Sequence, residues 1–259
     1  EYIPQPFDIK ALPSCTAQYG TVRVRSGNGA LTSASILAAP SAFNHTLPYD
    51  VTAKIAQNGA LYIDDLPPGT YTFRAKDICG DVKDQEVVVE GYTGPGDAFK
   101  FVPNCGAFSI DMHDSSNGME NAGYWLQYYN EMTNTWINPN YGEAYIEGTV
   151  PGATTGIGLY NNQVRPNFEY SGKMRVVKKF ESFGDGTSQN TMCIAVLGEF
   201  RYTDTLAITA AYTLACAGEP NNVILEIMGY PVTYKIVAKN GQPLLVDNGA
   251  DNIFRNLDP

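Results

Sequence analysis

The chain has 259 residues, of which 44% are apolar, which is enough for packed cores and too many for an intrinsically disordered protein. Its 27 acidic and 17 basic residues give a net charge of −10, so the surface repels nucleic-acid phosphates and offers no polybasic patch to anionic lipids. The sequence contains no run of about 18 apolar residues, so no membrane-spanning helix is predicted.

The elements predicted in chain order are almost all strands, because apolar and polar residues alternate with a period of two. They cover residues 21–25, 71–77, 85–90, 99–102, 108–112, 124–129, 174–180, 193–202, 223–227 and 232–238. Residues 173–183 also fit a short amphipathic helix, but the β-branched Val176 and Val177 favour a strand there. Asn-Gly pairs at 58–59 and 240–241 are typical hairpin turns. This pattern predicts an all-β fold, a rod of tandem immunoglobulin-like or prealbumin-like β-sandwich domains.

An internal repeat sets the expected domain boundaries. Residues 7–11 lead to a cysteine and then to a strand, and residues 206–210 do the same near the C-terminus. Residues 63–71 likewise have a counterpart in residues 253–259. We therefore predict a sandwich repeat at 1–103, an aromatic-rich sandwich module at 104–202, and the truncated start of a second copy of the repeat at 203–259. The linkers are short, so the units are expected to stack as a semi-rigid rod.

The five cysteines are Cys15, Cys79, Cys105, Cys193 and Cys216. None forms a CxxC pair and the chain has two histidines, so neither a metal nor another cofactor is predicted. The repeat suggests that Cys15 pairs with Cys79, that Cys105 and Cys193 remain for the middle unit, and that the partner of Cys216 lies beyond the chain. Four cysteines allow three pairings, and the alternative is five buried free thiols. Disulfides would place the protein outside the cytoplasm.

We find no residue pattern typical of catalysis. The sequence His113-Asp114-Ser115 contains the residue types of a hydrolytic triad, but neighbours on a strand point to opposite faces, so it is interpreted as a polar strand end. Asp77 and Asp81 have the chemistry of calcium ligands but lack the D-x-D-x-D-G spacing, and solvated turn acids are the favoured interpretation. The chain is therefore predicted not to be an enzyme.

One aromatic segment is a candidate binding site. It is predicted to be a hairpin with its tip near residues 132–134, and it contains both tryptophans. Its candidate binding residues are Trp125, Tyr129, Trp136 and Tyr141, because flat aromatic faces often hold sugars or partner proteins. The alternative is that other parts of the protein cover both faces of this hairpin. Separately, Asp204-Thr205-Leu206 resembles the short O-glycosylation pattern of Bacteroidetes, which makes Thr205 a candidate acceptor.

Residues 66–80 resemble the stretch L-P-x-G-x-Y-x-F-x-x-x-D-x-C-G that is repeated in very large surface adhesins of gliding Flavobacteria. Residues 105–110, followed by 124–127, resemble the module set between such repeats. The resemblance implies export by the type IX secretion system, display on the outer cell surface, and a role in adhesion and gliding motility. The implied partners are neighbouring repeats of the same chain, surface glycans or other cell-surface proteins, and the export machinery.

Two alternatives to an adhesin stalk remain open at the level of sequence. The first is a carbohydrate-binding module of a secreted polysaccharide-degrading enzyme, which would use the aromatic hairpin. The second is a secreted hydrolase with an unrecognised site, which would require two carboxylates facing each other in a cleft.

Overall fold

The computed structural model describes residues 7–94, 96–104, 106–214, 221–229 and 233–257. These residues form twenty β strands and one short 3-10 turn at Thr52–Lys54, with no α-helix among them. The described part of the chain therefore contains no helix with the length and apolar character needed to cross a membrane. The prediction of an all-β protein is confirmed.

The strands of the first hundred residues are β1 (Phe7–Pro13), β2 (Gly20–Ser26), β3 (Leu31–Ala38), β4 (Tyr49–Asp50), β5 (Leu61–Leu66), β6 (Gly69–Asp77), β7 (Val82–Val89) and the beginning of β8 (Phe99–Asn104). Those of the middle are β9 (Ala107–Met112), β10 (Gly123–Asn130), β11 (Thr135–Ile137), β12 (Ile157–Leu159), β13 (Gln163–Phe168), β14 (Gly172–Phe183) and β15 (Asn190–Tyr202). The last are β16 (Ala207–Leu214), β17 (Asn221–Met228), β18 (Lys235–Lys239), β19 (Gln242–Asp247) and β20 (Ile253–Leu257). The strand favoured for residues 173–183 is confirmed as β14.

The chain divides into two compact units. Unit 1 comprises residues 1–100, 112–163 and 175–198, and unit 2 comprises residues 101–111, 164–174 and 199–259. Each unit draws on three separate stretches of sequence. The boundaries expected near residues 103 and 202 stay a prediction, because a grouping by contacts does not test where a repeat begins.

The main core of unit 1 lies between two antiparallel sheets. One sheet has the order β1-β2-β5 and the other β4-β3-β6-β7. Strand β6 shows why the sequence folds in this way, since Tyr71, Phe73 and Ala75 alternate with polar residues and are all buried. They pack with Val22 and Val24 of the opposite sheet in one apolar cluster. This region of unit 1 is therefore a β-sandwich.

The turn after β6 is organised by Asp77, which is almost fully buried. Its Oδ1 accepts the backbone N–H groups of Cys79 and Asp81, each at 3.0 Å. Its Oδ2 accepts the Ser26 hydroxyl at 2.9 Å and the Asn28 amide at 3.2 Å. The interpretation of Asp77 as a solvated turn acid is therefore wrong. Both of its oxygens are used within the protein.

The pH dependence of the stability of unit 1 should reflect the protonation of this buried carboxylate. Burial alone would raise the pKa of Asp77, but the hydrogen bonds from Ser26 and Asn28 hold it below its ordinary value. A carboxyl group whose pKa is lower in the folded than in the unfolded protein stabilises the fold at pH values above its unfolded pKa, about 4. This stabilisation is lost as the pH falls through the pKa of the folded protein. We expect the urea midpoint to fall on acidification below about pH 4. Asp77→Asn should lower the midpoint at neutral pH and flatten its acid dependence. An unchanged acid dependence in this variant would contradict the assignment.

A second sheet system in unit 1 has the order β11-β10-β14-β15, with β12 pairing beside β10. Strand β14 is its central element and is covered on both faces, because its side chains from Arg175 to Lys178 are all buried. A strand covered on both faces cannot keep strict polar alternation. This explains why its charged residues Arg175 and Lys178 lie inside the protein.

Unit 2 combines a three-stranded sheet of order β13-β9-β8 with a second one of order β16-β17-β20 and the hairpin β18-β19. Aromatic rings from the first sheet and from the end of β15 pack together, with Phe108 stacked on Phe168 at 5.2 Å and Phe101 beside Phe200 at 4.6 Å. The hydroxyl of Tyr202 donates to the Asn104 carbonyl at 2.9 Å.

The sheets β1-β2-β5 and β16-β17-β20 are structural copies. In the first, Gly20 pairs with Leu66 and Val22 with Ile63, and the register shifts between these two pairs. In the second, Asn221 pairs with Leu257 and Val223 with Phe254, and the register shifts at the same place. The residue before each leucine has a positive φ, 53° at Asp65 and 58° at Asn256. The two sheets thus share strand order, the register shift of the second strand pair and this backbone conformation, whereas β16-β17 has a further register shift between Ile208 and Ala210 that β1-β2 lacks.

Candidate functional site

The aromatic segment forms the predicted hairpin. Strand β10 pairs with β11, with Tyr129 opposite Trp136 and Tyr128 opposite Ile137. Asn134 adopts φ 53° at the tip, a conformation that asparagine tolerates better than most residues. The side chain of Met132 at the same tip is almost completely exposed. The prediction of a hairpin with its tip near residues 132–134 is confirmed.

The four candidate binding residues lie in different environments. Trp136 is 7% exposed, and the ring of Tyr129 meets it edge-on with 5.0 Å between centroids. Trp125 is half-buried, whereas Tyr141 is 75% exposed in the loop after β11. The structure therefore does not join these four rings into a single open platform. Their role in binding stays a prediction.

The guanidinium of Arg175 on β14 covers the ring of Trp136. Its guanidinium carbon lies 4.2 Å from the centre of the Trp136 ring and 5.4 Å from that of Tyr145. Its Nε donates to Gln127 Oε1 at 2.8 Å, and its Nη2 lies 2.7 Å from Glu147 Oε1 in an ion pair outside hydrogen-bond geometry. No local pattern in the sequence indicated this contact, because Arg175 is 39 residues from Trp136 along the chain.

Trp125 borders an open cavity of about 460 Å³ in unit 1. The lining combines aromatic, apolar and amide groups from β10, β12 and their flanking loops, including Trp125, Tyr160, Met119, Leu159 and Asn161. The Nζ of Lys179 lies 5.3 Å from the centre of the Trp125 ring. This indole therefore presents a partly covered surface to the cavity, next to the exposed ring of Tyr160.

The position of the Trp125 ring depends on Gly123. A Cβ at Gly123 would lie 2.4 Å from Cη2 of the indole, so Gly123→Ala must displace the ring. We expect this substitution to increase acrylamide quenching of tryptophan fluorescence. Gly158→Ala is the matched control, because a Cβ there meets nothing within 4 Å. Equal quenching in the two variants would show that Gly123 does not hold the ring.

A buried ion pair lies on the other face of β14. The Nζ of Lys178 is 2.5 Å from Asp114 Oδ2, and both side chains are fully buried. Lys178 also donates to the Ser116 hydroxyl at 2.6 Å, and the Tyr124 hydroxyl donates to Asp114 Oδ2 at 2.9 Å. The interpretation of His113-Asp114-Ser115 as a polar strand end is therefore wrong for Asp114. The sequence could not reveal its partner, which is 64 residues away.

The electrostatics of this pair follow from burial and hydrogen bonding. Burial acts to raise the pKa of Asp114, but hydrogen bonds from Lys178 and the Ser116 backbone outweigh it and leave the pKa low. Burial raises the pKa of Tyr92 to about 12, and the negative charge of Asp114 adds to this effect. Burial and Asp114 likewise raise the pKa of Tyr124. The low pKa of Asp114 and the raised pKa values of Tyr92 and Tyr124 therefore favour a carboxylate beside neutral phenols near neutral pH.

Cys15 forms a disulfide with Cys193 inside unit 1. The predicted pairing of Cys15 with Cys79 is wrong, because Cys79 is an exposed free thiol. The assignment of Cys193 with Cys105 to the middle unit is also wrong, because Cys193 bonds to Cys15. The error came from assigning one disulfide to each sequence repeat, whereas this bond joins residues 178 positions apart. Cys105 and Cys216 lie outside the described residues. A disulfide is compatible with an extracellular protein.

Other contacts in unit 1 also link the first sandwich to β14. The Ser182 hydroxyl donates to the Pro13 carbonyl at 2.7 Å and lies 3.3 Å from the Thr21 hydroxyl. Phe183 packs in an apolar cluster with residues of β1 and β5, and Arg23 lies 5.1 Å from the centre of its ring. We call this set of contacts, together with the disulfide, the junction. It joins the first sandwich to β14 and β15.

A separate cleft of about 300 Å³ in unit 1 collects three carboxylates, those of Asp64, Asp65 and Asp185. Burial raises the pKa of Asp64, and the charges of Asp65 and Asp185 add to the rise. Lys54 forms an ion pair with Asp185 in the same cleft. The sequence did not indicate their proximity, because Asp185 is 121 residues from Asp64 along the chain. The described side chains nevertheless form no group of three acids, histidines or cysteines able to hold a metal ion.

Thr205 is exposed in unit 2, and its hydroxyl donates to Asp204 Oδ1 at 3.3 Å. Asp204 Oδ1 also accepts the Ser171 hydroxyl at 2.9 Å. Glycosylation of Thr205 stays a prediction.

No protein-family model matches the chain, and no curated protein matches it either. Among solved structures, the chain is similar to the chicken CNTN1 FN1-FN3 domains. The match covers 99% of this chain and 89% of the other, with 15% identity and a TM-score of 0.22. At this score the likeness carries no argument about function. The all-β class rests on the strands of the chain itself.

Proposed function

We propose that this chain is a non-enzymatic, structural segment of a secreted surface adhesin, in which β-sandwich repeats form a stalk. The repeated sheet carries this proposal, since β1-β2-β5 and β16-β17-β20 share strand order and register. Copies of one supersecondary unit along a chain are typical of proteins that span distance rather than of proteins that enclose one active site. Secretion and the adhesive role follow the sequence resemblance and remain part of the proposal.

The junction supports a role under tension. A disulfide between residues 178 positions apart keeps the intervening chain from extending when the ends are pulled. That chain has a contour length of roughly 600 Å at 3.3–3.6 Å per residue. Because the disulfide prevents this length from being released, the stalk resists stretching even if the sheets of unit 1 open.

Single-molecule force spectroscopy tests the stalk. In the oxidised protein, unfolding should release a contour length that excludes the chain between Cys15 and Cys193. In reducing buffer, an additional extension of roughly 600 Å should appear. Cys79→Ser is the matched control and should behave like the parent. If the oxidised protein unfolds at the same force as the reduced protein and with the same extension, the mechanical role is wrong.

Carbohydrate binding is a second candidate, favoured by the open cavity beside Trp125 and Tyr160. Its mixture of aromatic and amide groups suits a sugar ring, which is held by stacking and hydrogen bonds. A glycan array tests it, with Trp125→Ala and Tyr160→Ala as disrupting variants and Tyr141→Ala as the control outside the cavity. Glycan binding lost in the first two variants and kept in the third would favour this candidate over a pure stalk.

A further inference from the structure

Unit 2 exposes apolar residues that unit 1 buries. In the first sheet, Phe7 is 6% exposed, and Val22 and Val24 of β2 are 0% and 1% exposed. By strand register, Ser26 of β2 corresponds to Ile227 of β17, so their partners Phe7 and Ile208 correspond. The sequence repeat alone would pair Phe7 with Leu206, but the register shift between Ile208 and Ala210 moves the correspondence to Ile208. Ile208 is 66% exposed.

Ile208 shares one face of this sheet with three apolar residues of β17. Ile208 lies opposite Ile227, and Thr213 lies opposite Val223. Val223 and Ile227 are an even number of residues apart on β17, so their side chains, and those of their partners, lie on the same face of the sheet. Val223, Leu225 and Ile227 are all half-buried rather than buried. We call the face formed by Ile208, Val223, Leu225 and Ile227 the acceptor face. It is the counterpart of the face of β1-β2-β5 that packs in the core of unit 1.

The first copy shows what covers such a face. In unit 1, Tyr71 and Phe73 of β6 and Val89 of β7 belong to the same buried cluster as Val22 and Val24. Strand β6 also hydrogen-bonds to the edge of β3, which gives the sheet order β4-β3-β6-β7. The covering hairpin is thus anchored by side chains on the face and by backbone on an edge.

Unit 2 offers the same two anchors. The hairpin β18-β19 follows β17 and precedes β20, as β3 and β4 follow β2 and precede β5. Strand β18 pairs with β19 on one side, and within the described ranges no strand pairs with its other edge. Val237 of β18 is 69% exposed, as expected for a strand without a covering layer.

We infer that the acceptor face and the open edge of β18 together bind a β-hairpin with the alternating pattern of β6 and β7, in which a tyrosine and a phenylalanine two residues apart point to one face. The hairpin adds backbone hydrogen bonds along β18 and buries its aromatic side chains on Val223 and Leu225. This binding completes a second β-sandwich. It does not depend on the adhesin role, which the force measurements test separately.

Hydrogen exchange with a synthetic peptide tests the inference. The peptide has the sequence of residues 66–90 of this chain and is added to the intact 259-residue protein. We expect slower amide exchange in β16, β17 and β18, with no change in β2. A control peptide that carries Tyr71→Ser and Phe73→Ser should give no protection. Absence of protection, or equal protection by both peptides, would overturn the inference.

Two protein variants sharpen the test. Ile208→Ser removes an exposed side chain of the acceptor face and should weaken peptide binding about tenfold or more, the effect of losing one buried isoleucine contact. Met228→Ser is the matched control on the opposite face of β17, since it directly follows Ile227. Equal weakening by both variants would exclude the acceptor face as the site. Sedimentation measures whether the protein is a dimer before peptide is added. If it is a dimer and hydrogen exchange shows the acceptor face protected without peptide, this face binds a second copy and the inference is overturned.

Discussion

Replacing Cys15 and Cys193 together by serine is expected to lower the free energy of unfolding of unit 1 by about 3–5 kcal/mol. The bond closes a loop of 178 residues, and a long closed loop restricts the unfolded chain strongly. The junction, in which Ser182 contacts Pro13 and Thr21, should loosen at the same time. Urea denaturation followed by circular dichroism measures the loss of stability.

Cys79→Ser is the control for this experiment, because Cys79 is exposed and free. It should leave the urea midpoint unchanged. Alkylation without reduction should label Cys79 but neither Cys15 nor Cys193. Labelling of Cys15 in the folded, unreduced protein would contradict the assigned pairing.

Lys178→Ala is expected to destabilise unit 1 by about 3–5 kcal/mol, because it leaves the carboxylate of Asp114 buried without its counter-ion. The remaining donors to Asp114, the Tyr124 hydroxyl and the Ser116 backbone, cannot neutralise the charge. The variant should also become more stable relative to the parent as the pH falls, since protonating Asp114 removes the unpaired charge. Denaturant titrations at neutral and acid pH measure both effects.

Two comparisons make this result specific. Lys10→Ala removes an exposed ion pair with Glu120 and should cost about 0–1 kcal/mol. Replacing both members of the buried pair, with Lys178→Met and Asp114→Leu, should cost less than Lys178→Ala alone, because no charge is left unpaired. A double variant that is no more stable than Lys178→Ala would show that steric fit dominates at this site.

The secondary structure was largely predictable because its signals are local. Alternation along residues 71–77 identified β6, and the same pattern around Trp125 identified the aromatic hairpin. The strands β3 and β13 were not predicted, since β3 is rich in alanine and serine and β13 carries a proline. Such residues have weak strand propensity, and their pairing within a sheet is what holds them extended.

The candidate site was less predictable, because its contacts join distant parts of the chain. The sequence identified Trp125 and Trp136 as candidate binding residues. It did not indicate that Arg175 covers one of these rings, or that Gly123 sets the position of the other. Both facts depend on which strands become neighbours in the sheet, and no local pattern encodes that order.

By itself, the sequence determined that the protein is built of strands, that one β unit is repeated, and that the aromatic segment is a hairpin. These properties follow from side-chain periodicity and turn chemistry, which act over a few residues. Only the tertiary structure decided that Cys15 bonds to Cys193, that Asp114 is buried against Lys178, and that Ile208 of β16 is exposed whereas Phe7 of β1 is buried. Disulfide partners, buried charges and covered faces depend on packing between segments far apart in the chain.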